Sequence, residues 1–238
     1  MLHEYSNVKI ISIEGNIGSG KSTFIKYCKN NLPEIDGYKI VFVDEPVKLW
    51  EQIKDHNEEN IIEKFYGNQD KYSFPFQILA FTSRFIYLKN AINDALVEIN
   101  NDTNIKICII TERSLYTDCH VFAEMLKNNN KMEDVCHQIY LQMFNEHCKD
   151  FPLNSIIYID TTPEKCHERI NKRNRSGEQN ISINYLIDCH NAHDIYITSK
   201  INSNYCNKFV VDGMFDVNEM PEIKNEWVEL LQFCIKKL

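Results

Sequence analysis

The sequence has 238 residues, with 26 Lys or Arg against 34 Asp or Glu, so its formal net charge at pH 7 is −8. This acidic balance excludes the basic surface that general binding to nucleic-acid backbones favours, and we expect no nucleic-acid partner. No apolar run approaches the ~20 residues that span a bilayer, and the first residues lack the layout of an export signal. We therefore expect no membrane partner and a cytoplasmic protein, with an N-terminus that does not support a mitochondrial form.

The nine cysteines are scattered along the chain, and no two of them lie within four residues of each other. Their odd number and spacing predict neither a disulfide framework nor a CxxC redox or zinc pair. They are typical of free thiols in a reducing compartment.

Short apolar runs alternate with longer helical patterns along the chain. Runs rich in Ile and Val predict strands at residues 9–13, 39–43, 106–111, 155–160 and 208–211. Between them, helices are predicted at residues 21–31, 73–99, 116–128, 132–148, 163–172, 183–201 and 219–236. The polar segment 55–63 predicts a loop or an exposed helix. This alternation predicts an α/β fold with a five-stranded parallel sheet flanked by helices, and we expect one domain over residues 1–238.

The segment after the first predicted strand fits the pattern G-x-x-x-x-G-K-[ST]. It consists of Gly15, Asn16, Ile17, Gly18, Ser19, Gly20, Lys21 and Ser22, with Thr23 next in the predicted helix. Glycines let backbone N–H groups turn towards an anion, and the helix N-terminus adds a partial positive charge. Lys21 is expected to reach the β- and γ-phosphates, and the Ser22 hydroxyl to hold Mg²⁺. The segment therefore predicts a site for ATP or GTP.

Nucleotide binding alone leaves several classes of protein open. A GTPase needs an N-K-x-D motif to read guanine, and this sequence has none. A larger ATPase needs more chain than 238 residues. The remaining interpretation is a kinase that phosphorylates a small molecule.

Charged residues follow the second and third predicted strands, where ligands bind in open α/β sheets. Glu45 follows residues 39–43 and is placed to accept a proton from a hydroxyl. Glu112 and Arg113 follow the third strand, where a carboxylate can hold Mg²⁺ through water and a guanidinium can clamp phosphate. Read alone, either group could belong to an ordinary salt bridge, but beside a phosphate loop they predict an acceptor site.

Taken together, the motifs resemble the deoxyribonucleoside kinase family, in particular its deoxycytidine and deoxyguanosine kinase branch. The resemblance rests on IEGNIGSGKST (13–23), DEPVKLW (44–50), Tyr66, SFPFQ (73–77), SR (83–84), TERSLYTDCHVFA (111–123), TTPEKCHERINKRNRSGEQ (161–179) and YLIDCHNAHD (185–194). It implies a P-loop nucleoside/nucleotide kinase fold. It also implies ATP-dependent phosphorylation of the 5′-hydroxyl of a deoxyribonucleoside with Mg²⁺, and a homodimer joined through two helices, with 81–98 and 116–128 as candidates.

The resemblance also implies roles for individual residues. Glu45 is expected to be the general base for the 5′-hydroxyl, with Arg113 beside that hydroxyl and Glu112 organising Mg²⁺ together with Ser22. The expected partners of the sugar 3′-hydroxyl are Tyr66 and Glu178.

A cluster of cations at residues 165–175 stands out in this acidic chain, although a charge run read alone is usually a solvated helix face. The resemblance implies a basic lid at about residues 169–179, with Arg169, Arg173 and Arg175 over the transferred phosphate and Arg173 among the catalytic residues. Arg169 and Arg173 are four residues apart, so they share one helix face. The family commonly has two adjacent acidic residues near the lid end, whereas this chain has Gly177 before Glu178, which we expect to loosen lid closure.

The predicted long helix carries a candidate base pocket. Gln77, Ala80 and Arg84 are spaced three and four residues apart, so they lie on one face of that helix. The Gln77 amide offers a donor and an acceptor for the edge of a base. Aromatic side chains read alone are more often core, but on the family pattern Trp50 and Phe122 are expected pocket walls.

Arg84 and Asp118 bear on the choice of base. Thymidine-preferring relatives have smaller apolar residues at these two positions, and relatives that prefer other deoxynucleosides have the Arg–Asp pair. The resemblance therefore implies that deoxycytidine, deoxyadenosine or deoxyguanosine is favoured over thymidine.

Two other functions compete with a nucleoside kinase. A deoxynucleoside monophosphate kinase would need basic groups beside the acceptor, where the Glu45 carboxylate would repel a second phosphate. A nucleotide-binding regulatory protein without turnover would be expected to have lost the base or the lid arginines, and this sequence retains both.

Overall fold

The computed structural model describes residues 5, 7–175, 177–200, 206–215 and 222–238. Its centre is a five-stranded sheet in which every neighbouring pair is parallel, in the order β2-β3-β1-β4-β5. The strands are β1 (Val8–Glu14), β2 (Tyr38–Val43), β3 (Lys106–Glu112), β4 (Ser155–Asp160) and β5 (Asn207–Asp212). All five lie where the sequence predicts them, so the predicted α/β parallel sheet is confirmed.

Ten α-helical segments connect or follow the strands in the part of the chain that the structure describes. They are α1 (Lys21–Asn31), α2 (Val47–Gln52), α3 (Ile61–Gly67), α4 (Gln69–Glu98), α5 (Leu115–Thr117), α6 (Glu124–Asn128), α7 (Asp134–His147), α8 (Pro163–Arg173), α9 (Ile183–Ile195) and α10 (Ile223–Lys236). A π-helical segment, Asp118–Ala123, joins α5 to α6, and a second, Tyr196–Lys200, follows α9. The predicted end of one helix at residue 201 and the predicted start of another at residue 219 lie outside the described residues.

The sheet is covered on both faces. One core contains Phe81 on α4 and Tyr140 on α7, both fully buried. The other contains Phe24 on α1 and Trp227 on α10, whose rings lie 5.2 Å apart. Because apolar strands are covered from both sides, the carboxyl end of the sheet is where the chain can form a ligand site.

Helix α2 was not predicted from the sequence, and helices α3 and α4 begin at residues that the sequence did not indicate. Residues 55–60 form a loop, but α3 begins directly after it, with a capping box in which Asn60 and Glu63 bond each other's backbone N–H groups. Helix α4 begins at Gln69, four residues before the predicted start, because the Asn68 side chain accepts from the backbone of Lys71. The signal for both starts is an Asn cap within a polar stretch.

The predicted helix at residues 116–128 is helical throughout, but it is not α-helical throughout. Its middle is the π-helical segment, a geometry that occurs frequently at functional sites, and most of its apolar side chains are buried within their own chain, among them Val121, Met125 and Leu126. No large apolar side chain of this segment, all of which the structure describes, is exposed. No helix among the described residues has the length and apolar character to cross a bilayer.

Candidate active site

A cavity of about 530 Å³ opens at the carboxyl end of the sheet. Of the predicted site residues, those lining it are Ile17, Gly18, Ser19, Gly20, Lys21, Ser22, Thr23, Glu45, Trp50, Tyr66, Gln77, Ala80, Arg84, Glu112, Arg113, Asp118, Phe122, Arg169, Arg173, Arg175 and Glu178. The structure therefore brings together residues that are up to 161 positions apart in the chain, from Ile17 to Glu178. Gly15 and Asn16 are the exceptions, and they support the loop from behind.

Gly15 and Asn16 hold the loop between β1 and α1. Gly15 has a φ of 142°, and a Cβ atom there would lie 2.7 Å from the backbone oxygen of Ile159, so only glycine fits. The Asn16 amide donates to the backbone oxygen of Leu186 at 2.9 Å and accepts from the backbone N–H of Ile17 at 2.8 Å. The Asn16 side chain thus fixes the loop to α9.

Lys21, the lysine of this loop, is buried at the floor of the cavity. Its ammonium donates to the backbone oxygen of Asn16 at 2.7 Å. Burial, together with the positive charge of Arg113, lowers the pKa of Lys21 to about 8. An incoming phosphate would stabilise its charged form, so this group is poised to bind an anion.

Glu45 is held by two guanidinium groups on one of its oxygens. Oε1 accepts from Arg113 Nη1 at 2.8 Å and from Arg84 Nη2 at 3.0 Å. Burial by itself would raise the pKa of Glu45, but the charges of Arg113, Arg84 and Lys21 outweigh burial and lower it to about 2. The carboxylate is therefore ionised at neutral pH and faces the cavity beside the phosphate loop.

Arg113 occupies a strained position directly after β3. Its φ of 59° lies in the left-handed region, which a residue with a side chain rarely adopts. Its guanidinium lies 5.1 Å from the centre of the Phe122 ring, and its Nε has no hydrogen-bond partner among the described residues. A strained backbone and a buried donor without a partner are both features that concentrate at functional sites.

Ser22 and Glu112 form a small oxygen cluster beside the loop. The Ser22 hydroxyl donates to Glu112 Oε1 at 2.8 Å. No cluster of three or more His, Cys, Asp or Glu that could hold a metal occurs among the described residues. One hydroxyl and one carboxylate fit Mg²⁺, which keeps most of its water and takes its remaining oxygens from substrate phosphates.

The walls of the deeper part of the cavity come from α2, α4 and the π-helical segment. Trp50 packs edge-on against Phe76 and donates to the Ser83 hydroxyl at 2.9 Å. Gln77 is 3% exposed, yet its Oε1 has no hydrogen-bond partner among the described residues. A buried carbonyl oxygen without a donor fits a ligand that brings its own N–H group, as the edge of a nucleobase does.

Arg84 has acceptors on β3, on the π-helical segment and in the loop between β2 and α2. Its Nε and Nη2 donate to the Asp118 carboxylate at 2.8 and 3.3 Å. Its Nη1 donates to the backbone oxygen of Glu112 at 2.6 Å, in addition to the bond to Glu45. Burial raises the pKa of Asp118, and the Arg84 charge opposes that effect. This guanidinium thus ties the part of the cavity lined by Asp118 to the part lined by Glu45 and Glu112.

The predicted lid residues border the opposite side of the cavity. Arg169 donates to the backbone oxygens of Ser19 and Phe215, at 3.1 and 2.9 Å, so α8 is tied to the phosphate loop. Arg173 donates twice to Glu178 Oε2, at 2.9 and 2.6 Å. Arg169, Arg173 and Arg175 all line the cavity.

Several residues that line the cavity were not predicted from the sequence. Phe76 and Tyr185 lie within motifs that the family resemblance uses, but nothing marked them as lining residues. The cavity also continues past the phosphate loop to Tyr27, Lys224 and Trp227. No local motif marks these three, because their proximity depends on α10 packing on α1.

A glycine loop between a strand and a helix, a buried lysine, and arginines facing one cavity define a P-loop phosphotransferase. The chain belongs to the deoxynucleoside kinase family, whose model matches residues 11–234. It is an enzyme that transfers a phosphoryl group from ATP to the 5′-hydroxyl of a deoxyribonucleoside, and its fold is the P-loop kinase fold.

Relatives of known activity agree with this assignment. The chain is 32% identical to deoxycytidine kinase of Bos taurus over 235 residues, which covers 91% of this chain and 86% of that protein. It is 30% identical to deoxycytidine kinase of Homo sapiens over 248 residues, covering 96% and 90%. It is also 30% identical to the mitochondrial deoxyguanosine kinase of Xenopus laevis over 207 residues, covering 81% and 74%.

Proposed function

We propose that Glu45 accepts the proton of the deoxyribonucleoside 5′-hydroxyl and that Arg113 lies beside this hydroxyl. The observation that carries the proposal is the pair of guanidinium bonds to Glu45 Oε1, at 2.8 and 3.0 Å. Those bonds leave the second carboxylate oxygen available for a hydroxyl. A pKa of about 2 makes Glu45 a weak base. Phosphoryl transfer through a loose transition state requires mainly that the attacking hydroxyl is oriented, and the hydroxyl loses its proton late. A weak base is therefore sufficient.

We propose that the phosphate loop and lid bind the donor ATP. Lys21 and the backbone N–H groups of residues 15–23 hold its phosphates. Arg169, Arg173 and Arg175 face the transferred group, on which negative charge spreads in the transition state. Three cations at that point stabilise the transition state more than the ground state, and this difference accelerates the reaction.

Mg²⁺ is proposed as the metal, held by Ser22 and by Glu112 through water. When bound, the ion neutralises charge on the donor phosphates and keeps them in one arrangement. The hydrogen bond between the two side chains supports this role, because it already brings both oxygens together.

We propose that the base is cytosine, adenine or guanine rather than thymine. Gln77 and the Arg84–Asp118 pair would face the edge of the base, and Trp50, Ala80 and Phe122 would enclose its ring. The names of the relatives, deoxycytidine and deoxyguanosine kinases, support this preference. At the sugar, Tyr66 and Glu178 are proposed to bind the 3′-hydroxyl. Burial raises the pKa of Tyr66, so its hydroxyl stays protonated at neutral pH.

We further propose that residues 1–238 form one kinase domain with a lid at about 169–179, and that it works as a cytoplasmic homodimer. The nine cysteines, all described and all free, suit a reducing compartment. Exposed apolar side chains on α4 support a contact between copies, with Ile86 51% and Val97 72% exposed. Helix α7 adds Val135 and Ile139, 65% and 50% exposed. Fluorescence microscopy of the tagged protein, expressed in the cells that naturally produce it, tests the proposed cytoplasmic location.

One assay tests the catalytic proposal. The purified protein is incubated with ATP and Mg²⁺ and, in turn, with deoxycytidine, deoxyadenosine, deoxyguanosine, thymidine and their 5′-monophosphates. We expect 5′-monophosphates from the first three, little product from thymidine and none from the monophosphates. Product at the 3′-position, or a preference for thymidine, would contradict the proposed roles.

A further inference from the structure

The two oxygens of Glu178 have unequal partners. Oε2 accepts both hydrogen bonds from Arg173, at 2.9 and 2.6 Å. Among the described residues, the hydrogen-bond partner of Oε1 is Arg175 Nη1, at a long 3.4 Å. The side chain is 9% exposed and lines the cavity together with Tyr66. Oε2 thus binds Arg173 of the proposed lid, while Oε1 can accept a hydrogen bond from a donor inside the cavity.

Gly177 fixes this carboxylate to the wall that carries Tyr66. Its φ is 84°, and a Cβ atom on it would lie 3.1 Å from the Ile62 side chain and 3.2 Å from the backbone nitrogen of Glu63. The turn that begins with Gly177 therefore packs directly on the first turn of α3. A side chain here would meet α3, so glycine at this position allows the turn to pack closely on that helix.

We propose that Glu178 is a positioning residue that couples occupation of the sugar site to the lid. Its Oε1 takes the sugar 3′-hydroxyl, its Oε2 orients Arg173 towards the transferred phosphate, and Gly177 holds the turn in place. The inference rests on the proposed function, and in particular on the 3′-hydroxyl lying at Glu178.

The physical reason for coupling is the freedom of the carboxylate. With a hydroxyl on Oε1, both oxygens are engaged and the plane of the carboxylate is fixed, which also fixes the Arg173 guanidinium. Without that hydroxyl, the Glu178 carboxylate can rotate towards Arg175, and the Arg173 guanidinium bonded to it then moves as well. Because a charge-assisted bond depends strongly on geometry, loss of the 3′-hydroxyl should weaken the action of Arg173 on the donor as well as binding of the sugar.

The test compares a 2′-deoxynucleoside with the 2′,3′-dideoxynucleoside of the same base. We measure kcat, the KM for the nucleoside and the KM for ATP. In the wild-type enzyme the dideoxynucleoside should raise the KM for the nucleoside. It should in addition lower kcat about tenfold and raise the KM for ATP. In Glu178→Gln, which weakens the hold on Arg173, the kcat ratio of the two substrates should fall towards one.

Glu164→Gln is the matched control, because it removes a carboxylate from an exposed position of α8, the helix that carries Arg173. It should keep the wild-type kcat ratio. Gly177→Ala retains both Glu178 and Arg173 but displaces the turn from α3, so it should lower the same ratio. Thermal melting identifies any variant that is unfolded, and the comparison within the wild-type enzyme needs no variant at all.

A dideoxynucleoside that raises only the nucleoside KM, with kcat and the ATP KM unchanged, would overturn the coupling and leave Glu178 as a simple sugar ligand. If Gly177→Ala keeps the wild-type kcat ratio, the docking role of Gly177 is wrong. Failure of the proposed function has a different signature. In that case a 2′-deoxynucleoside itself gives no 5′-monophosphate, or loss of the 3′-hydroxyl leaves all three constants unchanged.

Discussion

Arg113 donates to Glu45 Oε1 at 2.8 Å from a backbone whose φ is 59°. The residue before it, Glu112, ends β3, and a regular continuation of the strand would carry the side chain away in another direction. The left-handed conformation costs of order 1–3 kcal/mol. That cost is offset where the guanidinium meets a buried carboxylate and an aromatic face at once, and both are present here. The strained backbone at Arg113 therefore places a cation beside Glu45, the proposed proton acceptor.

Replacing Glu45 tests the proposed proton acceptor. Glu45→Gln keeps the shape of the side chain but removes the negative charge, so we expect kcat to fall by about 10²–10⁴-fold while ATP binding remains. The control is Asp44→Asn, which changes the neighbouring carboxylate, whose side chain is 70% exposed. Steady-state kinetics and ATP titration measure both effects. A Glu45→Gln enzyme within about threefold of the wild-type kcat would remove Glu45 from the mechanism.

The buried lysine of the phosphate loop predicts a pH dependence. Lys21 has a pKa of about 8 in the ligand-free protein, below its ordinary value, so it loses its proton as the pH rises through about 8. Bound phosphate favours the charged form, so above that pH ATP binding must take up a proton. We expect ATP affinity to weaken above about pH 8 in calorimetric titrations, with proton uptake seen by comparing two buffers.

Lys21→Arg provides the control for this pH dependence. Its guanidinium remains protonated over the whole range, so any ATP affinity that it retains should be nearly independent of pH between about 7 and 9.5. If the wild-type profile is flat over the same range, the ligand-free Lys21 is not the titrating group.

Much of the fold follows from local sequence. Each predicted strand lies within a residue or two of its observed bounds, because an all-parallel sheet buries continuous apolar runs that stand out from helical patterns. The phosphate loop was equally clear, since its glycines and Lys21 are close in sequence. The missed starts of α3 and α4 have a local signal, the Asn caps at Asn60 and Asn68, hidden in a polar stretch.

The site was harder to predict from the sequence where its contacts join segments that are distant in the chain. The family resemblance paired Arg84 with Asp118, but nothing local indicates that the same guanidinium also bonds Glu45 and the backbone of Glu112. These partners are 39 and 28 residues away in the chain. Likewise, the close packing of Gly177 on α3 depends on a tertiary contact that composition cannot indicate. Sequence identified the chemical groups, and the fold determines which of them act together.

The proposed homodimer makes a simple prediction about mass. If α4 and α7 form the contact, light scattering at micromolar concentration should give about twice the 28.1 kDa of one chain. Ile139→Glu places a charge on an exposed apolar position of α7 and should shift the mass towards the monomer. Glu133→Gln, a substitution at the polar cap of the same helix, should leave the mass unchanged. A wild-type mass near 28.1 kDa would contradict the dimer.

The contacts of Arg84 predict that removing Arg84 and removing Asp118, the two residues proposed to select the base, destabilise the protein to different degrees. Asp118→Ala leaves Arg84 with Glu45 and a backbone oxygen as acceptors. Arg84→Met leaves the Asp118 carboxylate, which is 3% exposed, without its cation. Breaking a buried pair from one side costs ~3–5 kcal/mol, so we expect Arg84→Met to lower the melting temperature more than Asp118→Ala does.

The double variant Arg84→Met with Asp118→Ala removes both charges and makes apolar room for the thymine methyl group. We expect it to raise the kcat/KM for thymidine relative to deoxycytidine above that of the wild type and of either single variant. Because Glu45 also loses one of its two guanidinium partners, kcat should fall for every nucleoside. The ratio of kcat/KM values is therefore the measurement that isolates specificity, since a loss common to both substrates cancels in it. Kinetics with thymidine and deoxycytidine on the wild type and the three variants give this ratio directly. A double variant whose ratio matches the wild type would show that these two residues hold Glu45 and the fold without selecting the base.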